Sequence, residues 1–205
     1  MDEDRYFRSR CFWSLGLEYL HLVRITAEQV VDARNKTVAI WWGDRTPEEE
    51  AIELDHQTKW SDARLIEPLL FNFYHGLELL LKGFVMWVGE TNPKLDHGIT
   101  RLFKSFVTAF RDERELTEVF YKYVAPSAMP ALLRDFLEQN GSSVDKFYES
   151  LRYPFDRSFA RKYDHLVLKY KGSEGLPFYK QLVTDIGALA RMAVALGRKI
   201  EEASR

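Results

Sequence analysis

Three ionisable side chains on one otherwise apolar segment are the first candidates for chemistry in this sequence. They are His75, Glu78 and Lys82. At about 100° per residue in a helix, all three fall on one narrow stripe with Asn72. Burying such groups is costly unless they pair or face a cleft, and a glutamate four residues before a lysine has the favourable order for pairing. Two interpretations follow: a buried ion pair beside a hydrogen-bonded histidine, or the polar lining of a functional cleft.

A second candidate pair, Arg161 and His165, lies in the carboxy-terminal half of the chain. An imidazole could move a proton from a 2′-hydroxyl group of RNA or to a leaving oxygen, and a guanidinium could stabilise a charged phosphorane. The same two residues would equally suit a surface salt bridge or a loop contact. The sequence leaves both interpretations open.

The region around this pair is rich in cations and aromatic residues. Its cations are Arg152, Arg157, Arg161, Lys162, Lys169 and Lys171, and the interleaved aromatic residues are Tyr153, Phe155, Phe159, Tyr163 and Tyr170. Phosphate contact combined with base stacking uses this composition, but so does a solvated loop with aromatic side chains in the core. Arg152 is the strongest single candidate, because a bidentate guanidinium suits a phosphate and also a buried carboxylate such as Glu78.

Other standard sites are missing from the sequence. There is no Walker-type loop, no Gly-x-Gly-x-x-Gly, no serine elbow and no His-Glu-x-x-His. The single cysteine, Cys11, excludes an internal disulfide, and no cysteines and histidines stand at zinc-ligand spacing. Among the dispersed histidines, His75 and His97 are the one pair that a helical fold would bring together. We expect no metal and no cofactor.

Composition indicates one globular domain that does not cross a membrane. The chain has 205 residues, 46% hydrophobic and 29% charged, with a net charge of −2. Residues 101–205 hold 18 Lys and Arg against 14 Asp and Glu, so the second half is the basic one. Residues 1–10 lack the order of a secretory signal, and the apolar stretch 77–88 is shorter than the roughly 20 residues that span a bilayer. A cytoplasmic location is expected.

Helical periodicity must position these residues, because it runs through almost the whole chain. It predicts helices over 6–34, from Thr46 onward, and over 61–88, 97–110, 129–139, 143–153 and 178–202. A capping box of Thr26 and Gln29 could divide the first helix. Residues 165–170 are the one segment expected to be extended. The prediction is an all-α, up-and-down bundle of about five to seven helices in a single domain, 1–205.

Two motifs resemble those of one known family. The first motif runs from Phe73 to Phe84 as Phe-Tyr-His-Gly-Leu-Glu-Leu-Leu-Leu-Lys-Gly-Phe, and Asn92-Pro93 and Asp96-His97-Gly98-Ile99 follow it. The second is Leu151-Arg152-Tyr153-Pro154. Their types and order resemble the higher eukaryotes and prokaryotes nucleotide-binding (HEPN) domain. The resemblance covers residues 61–202, so that 1–60 would form the first helix and an elaboration.

The resemblance implies a helical homodimer with a polar groove at or near its interface. One group of the family consists of metal-independent ribonucleases, often toxins or bacterial defence effectors, that use an arginine followed after four to six residues by a histidine. The other group lacks that motif and binds nucleotides or assists a nucleotidyltransferase partner, as in toxin–antitoxin pairs. In this chain only three residues separate Arg161 from His165, which departs from the ribonuclease pattern.

The sequence therefore supports two hypotheses. The first is a non-catalytic homodimer whose groove binds a nucleotide, RNA or a partner protein. The residues expected to line it are His75, Glu78, Lys82, His97, Arg152 and Tyr153. The alternative is a divergent ribonuclease with Arg161 and His165 as its catalytic pair. The missing motif favours the first. Whether dimerisation would use the last helix or the segment around Trp41 is left open.

Overall fold

The computed structural model describes residues 3–39, 43–89 and 98–203. Over these residues the chain is all-α, as predicted, and a bridge between Phe155 and Lys162 is an isolated β-type pair. Its helices are α1 (Glu3–Asp32), α2 (Pro47–Thr58), α3 (Asp62–Trp87), α4 (Ile99–Ala109), α5 (Arg114–Val124), α6 (Ala131–Gln139), α7 (Phe147–Ser150) and α8 (Leu176–Ala203). Three 3₁₀ turns cover Val144–Lys146, His165–Val167 and Gly172–Gly175.

The described residues thus hold eight α-helices, slightly more than the five to seven predicted. The amphipathic pattern that opens near residue 97 ends at Phe110, and a separate helix, α5, begins at Arg114. The predicted helix over 143–153 is shorter than expected, because α7 has four residues and continues a 3₁₀ turn. The predicted main helix is present as α3, and α8 matches the predicted last helix.

Helix α3 lies at the centre of the fold, as its nearly all-round apolar surface predicts. Its residues from Gly76 to Trp87 are all buried. It packs along α1, and α8 also packs against α1. Glycines let α1 and α3 approach closely: a Cβ on Gly83 would lie 2.8 Å from the Trp13 backbone nitrogen, and one on Gly16 would lie 2.7 Å from the Leu80 nitrogen. The close crossing of α1 and α3 therefore depends on glycine at positions 16 and 83, where a side chain would clash.

Two local predictions concern the amino-terminal elements. Thr46 caps α2 as expected: its hydroxyl accepts from the Glu49 backbone nitrogen, while the Glu49 carboxylate accepts from the Thr46 nitrogen at 2.9 Å. The capping box at Thr26 is wrong, because α1 runs unbroken through that residue. Its hydroxyl instead donates to the Leu22 carbonyl at 2.8 Å, as threonines inside helices do.

The segment 165–170 is not extended, which corrects the prediction. The Asp164 carboxylate accepts from the Leu166 backbone nitrogen at 3.0 Å and starts a 3₁₀ turn at His165. A side-chain cap of this kind bends the chain wherever it forms, and alternation of apolar residues does not reveal it.

Buried Asp62, at the start of α3, binds the backbone at the carboxy-terminal end of the segment 165–170. Its carboxylate accepts from the backbone nitrogens of Tyr170 and Lys171, both at 2.8 Å, and from the Asn35 side chain at 2.8 Å. Asn35 also accepts from the Asp62 nitrogen and donates to the Gly172 carbonyl. One buried carboxylate thus ties the end of α1, the start of α3 and the chain before α8 together.

A second buried polar network joins α3, α5 and α8. Tyr74 donates to the Tyr123 carbonyl at 3.0 Å, and the Tyr123 hydroxyl donates to Asp185 at 2.7 Å. Lys122 and Gln181 also donate to Asp185. Burial, and then the hydrogen bond to Asp185, raise the pKa of Tyr123 well above its usual range. Tyr123 therefore stays neutral and keeps donating at ordinary pH.

No helix among the described residues is long and apolar enough to cross a membrane. His97, Trp41, Trp42 and the Asn92-Pro93 part of the first family-like motif lie outside the described residues.

Candidate functional site

Two residues of the polar stripe of α3 form a buried ion pair. Lys82 Nζ lies 2.5 Å from Glu78 Oε1, and the two side chains are 4% and 6% exposed. Both charges are therefore shielded from solvent and neutralise each other, which is the first of the two interpretations of this stripe. Any chemistry at this pair would need the core to open.

His75 lies closer to the surface on the same helix. Its ring meets Tyr19 edge-on, with ring centroids 4.7 Å apart, and lies parallel to Phe71 at 6.0 Å. His75 and Glu78 line one small cavity, called here the inner cavity, of about 10 Å³, which is about the space of a single water molecule. Tyr148 forms part of its wall. This inner cavity is too small for a nucleotide.

A larger opening lies on the other side of Tyr148 and is called here the outer cleft. Its volume is about 450 Å³, within the range of small-molecule sites. The lining residues are Tyr148, Glu149, Arg152, Tyr153, Pro154, Phe155, Asp156, Arg157 and Phe159. The groove predicted from the sequence is therefore divided: Arg152 and Tyr153 line the outer cleft, whereas His75 and Glu78 face the inner cavity.

Arg152 is held between two tyrosine rings of the outer cleft. Its guanidinium carbon lies 5.3 Å from the centroids of both Tyr148 and Tyr153, and it donates to the Tyr148 hydroxyl. No carboxylate among the described residues pairs with it. The predicted link from Glu78 to Arg152 is wrong, because Arg152 is exposed while Glu78 is buried, with Tyr148 lining the cavities on both sides.

A hydrogen-bonded loop, residues 154–163, forms the far wall of the outer cleft. The Asp156 nitrogen donates to the Arg161 carbonyl at 3.0 Å, and the Tyr163 nitrogen donates to the Pro154 carbonyl at 2.9 Å. The Asp156 carboxylate accepts from the Ser158 hydroxyl and from the Ala160 and Arg161 nitrogens. Desolvation alone would raise the pKa of Asp156, but these hydrogen bonds outweigh it and lower that pKa. The loop therefore has a defined shape.

Phe159 stands at the tip of this loop and is 80% exposed. Its φ of +57° is in the left-handed region, which costs a residue with a Cβ about 1 kcal/mol or more. The ring centroids of Phe155 and Phe159 are 6.2 Å apart, and Tyr153 is 47% exposed. The sequence left open whether these aromatic side chains are buried; the structure places these three at the surface.

Arg161 and His165 donate hydrogen bonds to different backbone carbonyls. Arg161 donates to the Asn140 carbonyl at 2.9 Å and to the Gly141 carbonyl at 3.4 Å, just after α6 ends. His165 donates from Nε2 to the Ser150 carbonyl at 2.6 Å, and its ring lies 5.8 Å from Phe136. The two side chains make no hydrogen bond with each other. Each satisfies the end of a helix, as the loop-contact interpretation expects.

A second opening, called here the polar pocket, adjoins the outer cleft. Its volume is about 240 Å³. It is lined by Asn140, Gly141, Ser142, Lys146, Glu149, Asp156, Arg157, Ser158, Arg161 and Tyr163. Glu149 lies between the two openings, where it pairs with Arg157 at 3.3 Å and accepts from the Tyr163 hydroxyl at 3.1 Å. Burial and then this hydrogen bond raise the pKa of Tyr163.

Sequence reasoning missed Tyr148, Glu149, Lys146 and Ser142. A signal for Tyr148 was present, since a tyrosine four residues before Arg152 shares its face in a helix. Nothing comparable pointed to Ser142, because a serine after Asn140-Gly141 reads as an ordinary turn residue.

Neither a family model, nor a curated protein, nor a solved structure matches this chain. Within the described part of the chain, no three His, Cys, Asp or Glu side chains converge as metal ligands would. Any function is therefore argued from the residues and their geometry.

Proposed function

We propose that this protein is a non-catalytic binding protein of the HEPN type that holds a nucleotide or single-stranded RNA in the outer cleft. The observation that carries the proposal is the position of Arg152. A guanidinium between two tyrosine rings, exposed and paired with no carboxylate of the described residues, keeps its charge and most of its donors for a ligand. A planar, fixed guanidinium is the side chain best suited to a phosphate group.

The aromatic wall supports the same ligand class. Tyr153, Phe155 and Phe159 all line the cleft and are exposed. Base stacking on aromatic side chains is worth about 1–3 kcal/mol per base and tolerates any sequence. A partner protein would also suit an apolar cleft, but Arg152, which pairs with no carboxylate among the described residues, favours an anion. The combination favours a nucleotide over a peptide.

The resemblance to the HEPN domain supplies the remaining parts of the proposal. It suggests an up-and-down bundle, a homodimer, and a nucleotidyltransferase partner of the kind found in toxin–antitoxin systems. The Glu78–Lys82 pair and His75 then belong to the motif as the buried support of α7 and Tyr148, since the inner cavity lies between them. Arg152 and Tyr153 belong to it as the ligand-binding residues.

The competing function is a metal-independent ribonuclease that uses Arg161 and His165. Two observations count against it: the spacing departs from the family motif, and both side chains already satisfy backbone carbonyls. Incubation with mixed RNA in EDTA, beside a His165→Ala variant, distinguishes the two. Cleavage that disappears in the variant would replace the binding proposal by this one, whereas intact RNA is the result we expect.

The binding proposal is tested with fluorescein-labelled single-stranded RNA of mixed sequence and three proteins: wild type, Arg152→Ala and Arg114→Ala. Arg114 is the matched control, because it is exposed and lies on α5. We expect Arg152→Ala to weaken binding by about tenfold or more, since hydrogen bonds to charged groups contribute roughly 1.5–3 kcal/mol. Fluorescence anisotropy measures the Kd.

The salt dependence gives a second readout of the same experiment. Losing one phosphate contact should reduce the slope of log Kd against log salt concentration by about 0.7 for a single strand. Absence of RNA binding in the wild type, or equal losses in Arg152→Ala and Arg114→Ala, would refute the proposal.

A further inference from the structure

We infer that the polar pocket is a phosphate subsite, which takes a phosphate group of the same nucleotide strand whose bases stack in the outer cleft. The inference rests on the proposed function and extends it from one nucleotide to at least two consecutive units. Four observations carry it: the continuity of the two openings, the balance of charge, a buried hydroxyl group without a partner, and the backbone that holds that group.

The two openings are continuous through shared residues. Glu149, Asp156 and Arg157 line both of them. The volume of the polar pocket, about 240 Å³, leaves room for a phosphate and part of its sugar. The outer cleft has aromatic walls, whereas the pocket is lined by charged and hydroxyl side chains. One strand could therefore place a base in the first and a phosphate in the second.

The charges of the pocket favour an anion. Lys146 is exposed, and no carboxylate among the described residues pairs with it. Arg161 is oriented by the Asn140 and Gly141 carbonyls through one terminal nitrogen, so its other donors remain for a ligand. Arg157 is 90% exposed and pairs with Glu149 at 3.3 Å, so its charge offsets that carboxylate.

The two carboxylates of the pocket, Asp156 and Glu149, already have hydrogen-bond or ion-pair partners, which reduces their repulsion of a phosphate. One oxygen of Asp156 accepts three hydrogen bonds from its own loop. Glu149 is held by Tyr163 on one oxygen and by Arg157 on the other. Three cations thus face two carboxylates that are already satisfied, and the third positive charge has no counterpart.

The hydroxyl of Ser142 is the sharpest sign of a ligand. Its oxygen is buried and has no hydrogen-bond partner among the described residues, although it belongs to a residue that lines the pocket. Leaving a buried hydroxyl unsatisfied is unfavourable, and such groups in folded proteins call for an explanation. The backbone of Ser142 is held in place beside the pocket, because its nitrogen donates to the Leu137 carbonyl at 2.9 Å and Gly141 before it makes a turn with a φ of +51°. A phosphate oxygen would satisfy the hydroxyl.

The test uses adenosine dinucleotides with and without a terminal phosphate: ApA, pApA and ApAp, together with inorganic phosphate alone. Isothermal titration calorimetry measures each Kd. We expect one of the two phosphorylated forms to bind about tenfold more tightly than ApA, since a charged phosphate gains several charge-assisted hydrogen bonds. Which form gains reports the direction of the strand.

Three variants locate the gain. Ser142→Ala and Lys146→Gln should reduce the affinity for the phosphorylated dinucleotide to that of ApA, and leave the affinity for ApA unchanged. Lys180→Gln, an exposed lysine on α8, is the charge control and should change neither. Thermal unfolding of each variant checks that the fold is retained.

The outcomes separate this inference from the proposed function. If no dinucleotide binds the wild type, both fail. If ApA binds in an Arg152-dependent way but neither phosphorylated form binds more tightly, the subsite alone is refuted. Inorganic phosphate binding as tightly as the phosphorylated dinucleotide would also overturn it, because the pocket would then be an independent anion site.

Discussion

The polar stripe of α3 and the outer cleft contain the same kinds of residue in opposite surroundings. In the stripe, Glu78 and Lys82 are buried and neutralise each other. In the cleft, Arg152 is exposed, lies near two tyrosine rings, and pairs with no carboxylate in the part of the chain that the structure describes. A buried charge must have its partner within the fold, whereas water solvates an exposed charge until a ligand binds it. The first region therefore contributes to stability, and the second is the one proposed above to bind a ligand.

The two regions also differ in how they are held. The stripe is held by the packing of α1 against α3, where glycines allow close approach. The loops beside the cleft are held by hydrogen bonds from backbone nitrogens to single side chains, chiefly Asp156 and Asn140. Phe159, at the tip of one loop, has a strained left-handed backbone. Changes in the first region should therefore alter the free energy of unfolding, and changes in the second should alter ligand affinity.

The largest expected effect comes from breaking the buried pair. Replacing Glu78 with leucine leaves the Lys82 charge buried without its partner, which should lower the free energy of unfolding by about 3–5 kcal/mol. Urea denaturation followed by circular dichroism measures this. RNA affinity of the folded fraction should not change.

The matched control is the double variant Glu78→Leu with Lys82→Met. Removing both charges leaves neither member of this ion pair without the other, so its stability should be near that of the wild type or above it. A loss below about 1 kcal/mol in the single variant would show that water reaches the pair, and the contrast between the two regions would fail.

The next effect comes from the helix crossing. An alanine at Gly83 would place a Cβ 2.7–2.9 Å from atoms of Trp13, two of them backbone atoms, and should destabilise the fold by about 1–3 kcal/mol. Gly187→Ala is the comparison on α8, where the nearest atom to an added Cβ is the end of an arginine side chain at 3.6 Å. It should be neutral or slightly stabilising. Equal melting temperatures for the two variants would contradict the close packing.

The smallest effect on stability has the opposite sign. Glycine at Phe159 should relieve the left-handed strain and stabilise the fold by about 0.5–1 kcal/mol. It should also weaken RNA binding roughly fivefold or more, because a stacking surface is lost. Chemical denaturation and anisotropy measure the two quantities on one protein sample.

Tyr170 provides the control for this prediction. It has the same left-handed backbone, with a φ of +58°, and is 61% exposed, but it does not line the outer cleft. Tyr170→Gly should therefore stabilise the fold to a similar degree and leave the RNA affinity intact. If both variants weaken binding equally, the aromatic wall is not the ligand surface.

Local patterns predicted much of the fold but not its loops. The all-round apolar surface of α3 and the capping residues of α2 are properties of neighbouring residues, and both predictions are confirmed. The end of α4 agrees with the predicted helix over 97–110, but no helix was predicted over 114–124, where α5 lies. The turn at 165–167 was missed because it depends on the Asp164 side chain, which competes with an extended backbone.

The candidate site shows the same limit. The sequence pointed to Arg152 and Tyr153 from composition, and to Glu78 and Lys82 from spacing along one helix. It wrongly joined Arg152 to Glu78, because pairing two opposite charges from distant segments requires knowing what stands between them. Tyr148 lines the cavities on both sides, and its contacts with Arg152 appear only in the folded chain.

By itself, the sequence determined the helical class, the central helix and the residue types from which a phosphate-binding surface could be built. These follow from periodicity and side-chain chemistry, which act over one or two helical turns. The tertiary structure decided which charges are buried and which are exposed, and it placed Ser142 and Lys146 in one pocket beside the outer cleft. Burial and convergence depend on the packing of segments far apart in the chain, and no local pattern contains that information.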